Sequence, residues 1–221
     1  VRSPFSPLQL LLFIFLIAFL VVFVQLGVLT IAVEKLGLSP SSALLLLAAS
    51  LFGSAINLPL FQVDARPPPP GQLDWRFRTL LRPPPAFTGK TVVAVNLGGC
   101  LIPLTFSAYL MRLHPLGWGE VLAAVAAVAA ISHWISRPIP GLGIGMPIFV
   151  APLAAAAVAL LVDPQQSAPL AYICGTLGVL VGADLLRIGD IRAMGVPIAA
   201  IGGAGTFDGI FMTGIVAVLL A

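Results

Sequence analysis

The sequence predicts an all-α, polytopic membrane protein of about seven transmembrane helices, with the N-terminus inside and the C-terminus outside. Three observations predict it. Hydrophobic residues make up 59% of the 221 residues and charged residues only 9%, too few charges to solubilise a domain of that size. Seven apolar runs, at residues 7–33, 41–61, 91–111, 118–136, 146–162, 169–186 and 197–221, approach the roughly 20 residues that a helix needs to cross the hydrocarbon core. The basic residues then divide unevenly. An inside N-terminus places Arg2, Arg66, Arg76, Arg78, Arg82, Lys90, Arg137, Arg187 and Arg192 inward and leaves only Lys35 and Arg112 outward, the positive-inside pattern. The chain reads as one integral domain of a bacterial inner (cytoplasmic) membrane, with the lipid bilayer as its first partner.

Each run has its own justification. The first is too long for the core of a signal peptide and lacks a small-residue cleavage site, so it reads as a retained helix. Ser39 before Pro40 suits an N-cap followed by proline at the first helical position, which starts the second. Residues 62–90 form a proline-rich inner loop, since the prolines at 67–70 and 83–85 favour extended polyproline geometry. Within it Leu73, Trp75 and Phe77 alternate with charges, either as an interfacial piece or as anchors of a solvated loop. The third run contains Asn96, Gly98, Gly99 and, mid-span, Pro103, which is expected to bend the helix. The fourth is alanine-rich and ends near His133, Trp134 and Arg137. In residues 138–147, glycines at every second position between prolines exclude a stable helix. That stretch is expected to be a re-entrant or interfacial segment lining a cavity, or a plain inner turn. Asp163 and Pro164 open a short outer turn before the sixth run.

Little in the chain carries conventional chemistry. It has no phosphate-cradling loop with its lysine, no metal-ligand spacing and no nucleophile elbow. No basic stripe with interleaved aromatics marks a nucleic-acid surface. No cofactor and no nucleic acid are therefore expected. Cys100 and Cys174 lie in apolar runs and read as small buried hydrophobes. His133 reads as a satisfied interfacial histidine and His114 as a solvated turn residue. Gln25 and Asn57 each need only one interhelical hydrogen bond.

Two acids stand out. Asp184 and Asp208 interrupt the sixth and seventh apolar runs, where an ionisable group is costly and asks for a reason. Asp184 lies about 15 residues into an inward helix, roughly 8 Å short of the inner edge. If residues 201–206 are unwound, a helix from about Thr206 brings Asp208 to the same depth on the neighbouring span. Two carboxylates in contact in a low dielectric cannot both ionise, so one keeps a proton while the other serves as a base. Such a dyad, catalytic Asp184 and Asp208, can activate water. The competing structural reading pairs Asp184 with Arg187 at i+3 and makes Asp208 a helix cap.

Two resemblances bear on these residues. AVEKLGLSP from Ala32, GSAINLP from Gly53, NLGG from Asn96, GADLLRIGDI from Gly182 and GGAGTFDGIF from Gly202 resemble an uncharacterised family of bacterial and archaeal polytopic membrane proteins, the domain of unknown function 1614. GADLL with GAGTFDGIF is also similar to the paired motifs of intramembrane aspartyl proteases of the presenilin and signal-peptide-peptidase type. That likeness implies a catalytic pair at Asp184 and Asp208 and a transmembrane peptide as substrate. Ala183 stands where that family has tyrosine and Phe207 where it has glycine, and its Pro-Ala-Leu element has no counterpart after Asp208. Two other classes stay open. One is a small transporter or channel along residues 138–147 and Asp208. The other is a non-catalytic subunit that packs against other membrane subunits.

Overall fold

The computed structural model describes residues 7–25, 28–67, 88–139, 143–203 and 209–221. Helix dominates them, in chain order α1 (Pro7–Gln25), α2 (Val28–Lys35), α3 (Pro40–Gly53), α4 (Ile102–Leu113), α5 (Trp118–Ile135), α6 (Val150–Val162), α7 (Ser167–Val179), the single turn α8 (Ile191–Met194) and α9 (Gly209–Leu220). Local chemistry sets several starts. The Ser39 hydroxyl accepts the Ser42 amide at 3.2 Å, with Pro40 in the first turn of α3. Glu120 reaches back to the Gly117 amide at the head of α5. Both arrangements satisfy amides that a helix start leaves unpaired.

α7 is the central helix. All its residues except Leu177 are buried, and it packs against α4, α5, α6 and α9. A helix apolar on every side belongs in such a place. Phe106 of α4 meets the ring of Tyr172 edge-on, with centroids 4.9 Å apart. Beside this pair Ser107 and Thr176 share a hydrogen bond of 3.2 Å between α4 and α7. The Tyr172 hydroxyl is buried and has no partner among the described residues.

The all-α expectation needs correction. A three-stranded sheet joins β1 (Asn57–Asp64), β2 (Lys90–Asn96) and β5 (Ile198–Ile201) in the order β1-β2-β5. The first pair is antiparallel and the second parallel. A second sheet pairs two short strands, β3 (Arg137–Ile139) and β4 (Gly143–Gly145), antiparallel. The physical reason lies in β2. It is covered on both faces, with Thr91, Val93 and Ala94 essentially inaccessible, and a strand buried on both faces reads as an unbroken apolar run. Its Val-rich composition favours extended backbone. The third run is thus strand, π turn and helix in succession, and the last run holds a strand, β5, and a helix, α9. Pro103 does not bend a helix mid-span; it sits in the first turn of α4, where no amide is needed. The proline-rich loop expected over 62–90 is corrected at its ends, because residues 62–64 belong to β1 and Lys90 to β2. Its residues 68–87 lie outside the described ones. Asn57 is a strand residue whose Oδ1 accepts from Asn96.

The strands gather at one end of the helices. At the opposite end turns meet turns. His114 lies between the Leu36 carbonyl (3.3 Å from Nε2) and the Gln166 side chain (3.1 Å from Nδ1). Lys35 reaches the Val218 carbonyl and Ser167 that of Ala221. His114 is therefore a half-buried clasp of three turns, not a solvated residue. Two of the described helical stretches, Trp118–Ile135 and Ser167–Met194, are long and apolar enough to cross a membrane. Pro40–Gly53 and Val150–Val162 are apolar but shorter.

Candidate active site

The site begins where α7 and α5 press together. A Cβ on Gly178 would come within 2.7 Å of the Val128 side chain, and one on Gly182 would overlap the Ala129 carbonyl. Only a bare backbone fits Gly182. Here α7 widens into a π turn, Leu180–Asp184, and then tightens into a 3₁₀ stretch, Leu185–Asp190. A π turn carries one extra residue and shifts the helical register. His133 of α5 lies with Nδ1 3.2 Å from the Gly182 carbonyl. Facing an acceptor, Nδ1 is the protonated nitrogen of that bond. The expected satisfied histidine is found, and it braces the widened turn.

Arg187 holds the same junction from below. Its Nη2 donates to the carbonyls of His133 and Ser136, each at 2.7 Å, and its Nε to the Ser136 hydroxyl at 3.1 Å. The carbonyls at the end of α5 are thereby capped by a cation, which the helix dipole also favours. The acid that Arg187 pairs with is Asp190, at 3.1 Å. The pairing of Asp184 with Arg187 is thus corrected. The 3₁₀ stretch turns Arg187 back toward α5.

Asp184 instead accepts the Gly202 amide on Oδ2 at 2.6 Å. Gly202 follows β5 with φ +84°, and a Cβ there would strike Cys100 and Gly99. Those two residues belong to another π turn, Leu97–Leu101, at the head of α4. Two π turns therefore converge on Gly202. Asn96 secures the other one. Its Oδ1 accepts the Gly99 amide at 2.8 Å, while Nδ2 donates to the Ser54 carbonyl at 2.7 Å. The Ser50 hydroxyl adds a bond of 2.7 Å to the Gly98 carbonyl.

A cavity of about 270 Å³ opens beside this junction. Its walls include Ile144, Met146, Val179, Ile201 and Ile210, with Thr213 the neutral side-chain hydroxyl among them. Asp184 is the one ionisable group among the described residues that line it. Asp184 Oδ1 has no protein donor among the described residues, so it can hold water or a proton inside apolar walls. Among the described residues no three histidine, cysteine or acidic side chains gather as a metal site. Cys100 and Cys174 are both buried, as expected of small apolar-run residues.

Asp208 lies outside the described residues. Of the stretch 201–206 expected to be unwound, residues 201–203 are non-helical, ending β5 and turning at Gly202 and Gly203; the rest lies outside as well. Sequence reasoning missed the Gly202 amide as the partner of Asp184, and Asn96 as a cap. The second was readable: asparagine three residues before a glycine, at the head of an apolar run, is a helix-start pattern.

Residues 51–220 match the sequence model of a family described as "Protein of unknown function (DUF1614)". That span contains both aspartates and the five strands of the described residues. No curated protein and no solved structure matches the chain, and no comparison supports the likeness to presenilin-type proteases.

Proposed function

The chain belongs to the DUF1614 family, whose description assigns no activity, and from its own residues we propose an integral membrane protein that hydrolyses peptide bonds within the bilayer through Asp184 and Asp208. The membrane reading rests on composition and on what the helices expose. Leu45, Leu122 and Leu161 are 73%, 65% and 84% exposed, on helices with few charges to offset them. Lipid tails cover such faces at no cost; water does not. The gathering of turns at one end and strands at the other supports alternate crossings. The basic residues at the strand-bearing end, Arg66, Lys90, Arg137, Arg187 and Arg192, support an inside N-terminus. A bacterial cytoplasmic membrane is the setting proposed. Seven runs cross in this reading, several of them as short helices completed by extended backbone.

The observation that carries the hydrolytic reading is the position of Asp184. It borders an apolar cavity that Ile210, two residues beyond Asp208, borders too. In the proposed reaction one carboxylate takes a proton from water. The water oxygen bonds to the peptide carbonyl carbon, and the other carboxyl gives its proton to the carbonyl oxygen. Collapse then breaks the C–N bond, with a proton passing to the leaving amine. No cofactor is required.

A second reading is favoured by one contact. Asp184 already accepts the Gly202 amide, so its carboxylate can serve as a clasp in a non-catalytic subunit. One experiment separates the two. The purified chain and its Asp184→Asn and Asp208→Asn variants are incubated in detergent with a transmembrane peptide library, and products are read by mass spectrometry. The hydrolase reading expects cleavage by the parent alone, with all three equally folded. Cleavage that survives both substitutions, or no cleavage by the folded parent, sinks it.

A further inference from the structure

The strand-bearing end carries a feature separate from the cavity. Arg66, Lys90, Arg137 and Arg192 are exposed there, and the fold draws them together from different elements. Lys90 opens β2 opposite Asp64, two residues before Arg66. Arg66 donates its amide to the Arg192 carbonyl at 2.9 Å. Arg192 lies on α8, which packs against β3, the strand that begins at Arg137. Among the described residues none of these four cations is ion-paired, and the one ion pair nearby, Arg187 with Asp190, leaves Asp64 as the acid beside them. Exposed apolar side chains lie on the same strands and just before them. Trp134 is 85% exposed at the end of α5, Phe61 48% on β1, and Ile139 41% two residues after Arg137.

A small soluble anion would use the cations and leave the apolar rim in water. A lipid satisfies both, because its phosphate meets the cations while its glycerol and upper acyl chain cover the rim. Tryptophan is favoured at that boundary, and guanidinium forks suit phosphate oxygens. We propose that Arg66, Lys90, Arg137 and Arg192 form a binding surface for anionic phospholipid headgroups of the phosphatidylglycerol type. The surface pins the sheet against the headgroup layer. This inference stands whether or not the cavity is hydrolytic.

The test uses the full chain in a nonionic detergent, titrated with short-chain phosphatidylglycerol, with phosphatidylcholine of equal chain length, and with inorganic phosphate. Retained lipid is counted by native mass spectrometry, and the unfolding midpoint is followed in parallel. Phosphatidylglycerol is expected to bind at least ~10-fold tighter than phosphatidylcholine and to weaken as salt rises. Each single change to glutamine at the four positions should weaken it roughly fivefold, and all four together about 100-fold or more. Arg112→Gln, at the opposite end, should leave it unchanged. Equal binding of the two lipids overturns the proposal. So does a quadruple variant that keeps phosphatidylglycerol, or protection by inorganic phosphate as strong as by the lipid. Should the quadruple variant fail to purify folded, the four single variants decide by the same criterion: fivefold losses support it and unchanged affinities overturn it.

Discussion

Asp184 and Gly202, eighteen residues apart, are joined by a hydrogen bond of 2.6 Å from the glycine amide to the carboxylate. That bond ties the end of one π turn to the loop after β5, and the same glycine rests on the other π turn at Gly99 and Cys100. The carboxylate therefore has a structural duty as well as the proposed chemical one. The two are separable, because the structural duty needs only an acceptor oxygen, whereas the chemical one needs an ionisable group.

Substitution of Asp184 should reveal this. Asp184→Asn keeps an oxygen for the Gly202 amide and is expected to unfold within about 1 kcal/mol of the parent. Asp184→Ala loses the bond from the Gly202 amide and strands that amide, a cost of about 1–3 kcal/mol. Denaturant unfolding in mixed micelles measures both. Equal losses in the two variants would show that the amide contact contributes nothing to stability.

Gly182 offers a test of packing alone. A methyl group there meets the Ala129 backbone, which cannot rotate aside, so α5 and α7 must separate. Gly182→Ala should cost about 1–3 kcal/mol and disturb the bond from His133 to the Gly182 carbonyl. Gly189→Ala, which has open space around it, should stay within about 0.5 kcal/mol of the parent. Comparable losses at both glycines would mean that helix separation is not the cause.

How far the residues announce this fold depends on what each must satisfy locally. Ser39 and Pro40 mark the start of α3, because an N-cap is a local arrangement. The span of α5 is legible for a similar reason: an alanine-rich run with a capped start has one good conformation. Asp184 is legible as a residue needing an explanation, since a lone charge in an apolar run is conspicuous whatever surrounds it. β2 is not legible, because Thr91, Val93 and Ala94 are buried by partners distant in sequence, and coverage on both faces erases the alternation that marks a strand. The role of Pro103 depended on where α4 begins, which the π turn decides. His114 looks like a solvated turn residue until Leu36 and Gln166 are brought to it from other turns. The partner of Asp184 is hidden for the same reason, since nothing near residue 184 points to residue 202.

Asn96 should be among the least replaceable polar residues. It makes three hydrogen bonds, to the Gly99 amide, the Ser54 carbonyl and Asn57, while almost wholly buried. Asn96→Ala leaves a buried amide and carbonyl unpaired, and the expected loss is about 2–4 kcal/mol. Asn96→Asp keeps the cap on Gly99 but places a carboxylate against the Ser54 carbonyl, so it should be no milder. Denaturant unfolding together with hydrogen exchange at Gly99 checks this, and fast exchange confined to the π turn is the signature expected.

Arg187 provides the last test, because its task depends on shape as well as charge. Its guanidinium reaches the His133 carbonyl of α5, the carbonyl and hydroxyl of Ser136 just beyond it and Asp190 at once, a fork that an ammonium group cannot reproduce. Arg187→Lys preserves the cation near the end of α5 but satisfies fewer acceptors, and should lose about 1–2 kcal/mol. Arg187→Met removes all the donors from partly buried carbonyls and should lose about 2–4 kcal/mol. The distinguishing quantity is the salt dependence of the lysine variant. If Arg187 acts by charge alone, lysine restores parental stability at low salt and high salt abolishes the difference from methionine. If the fork caps α5, lysine stays below the parent at every ionic strength.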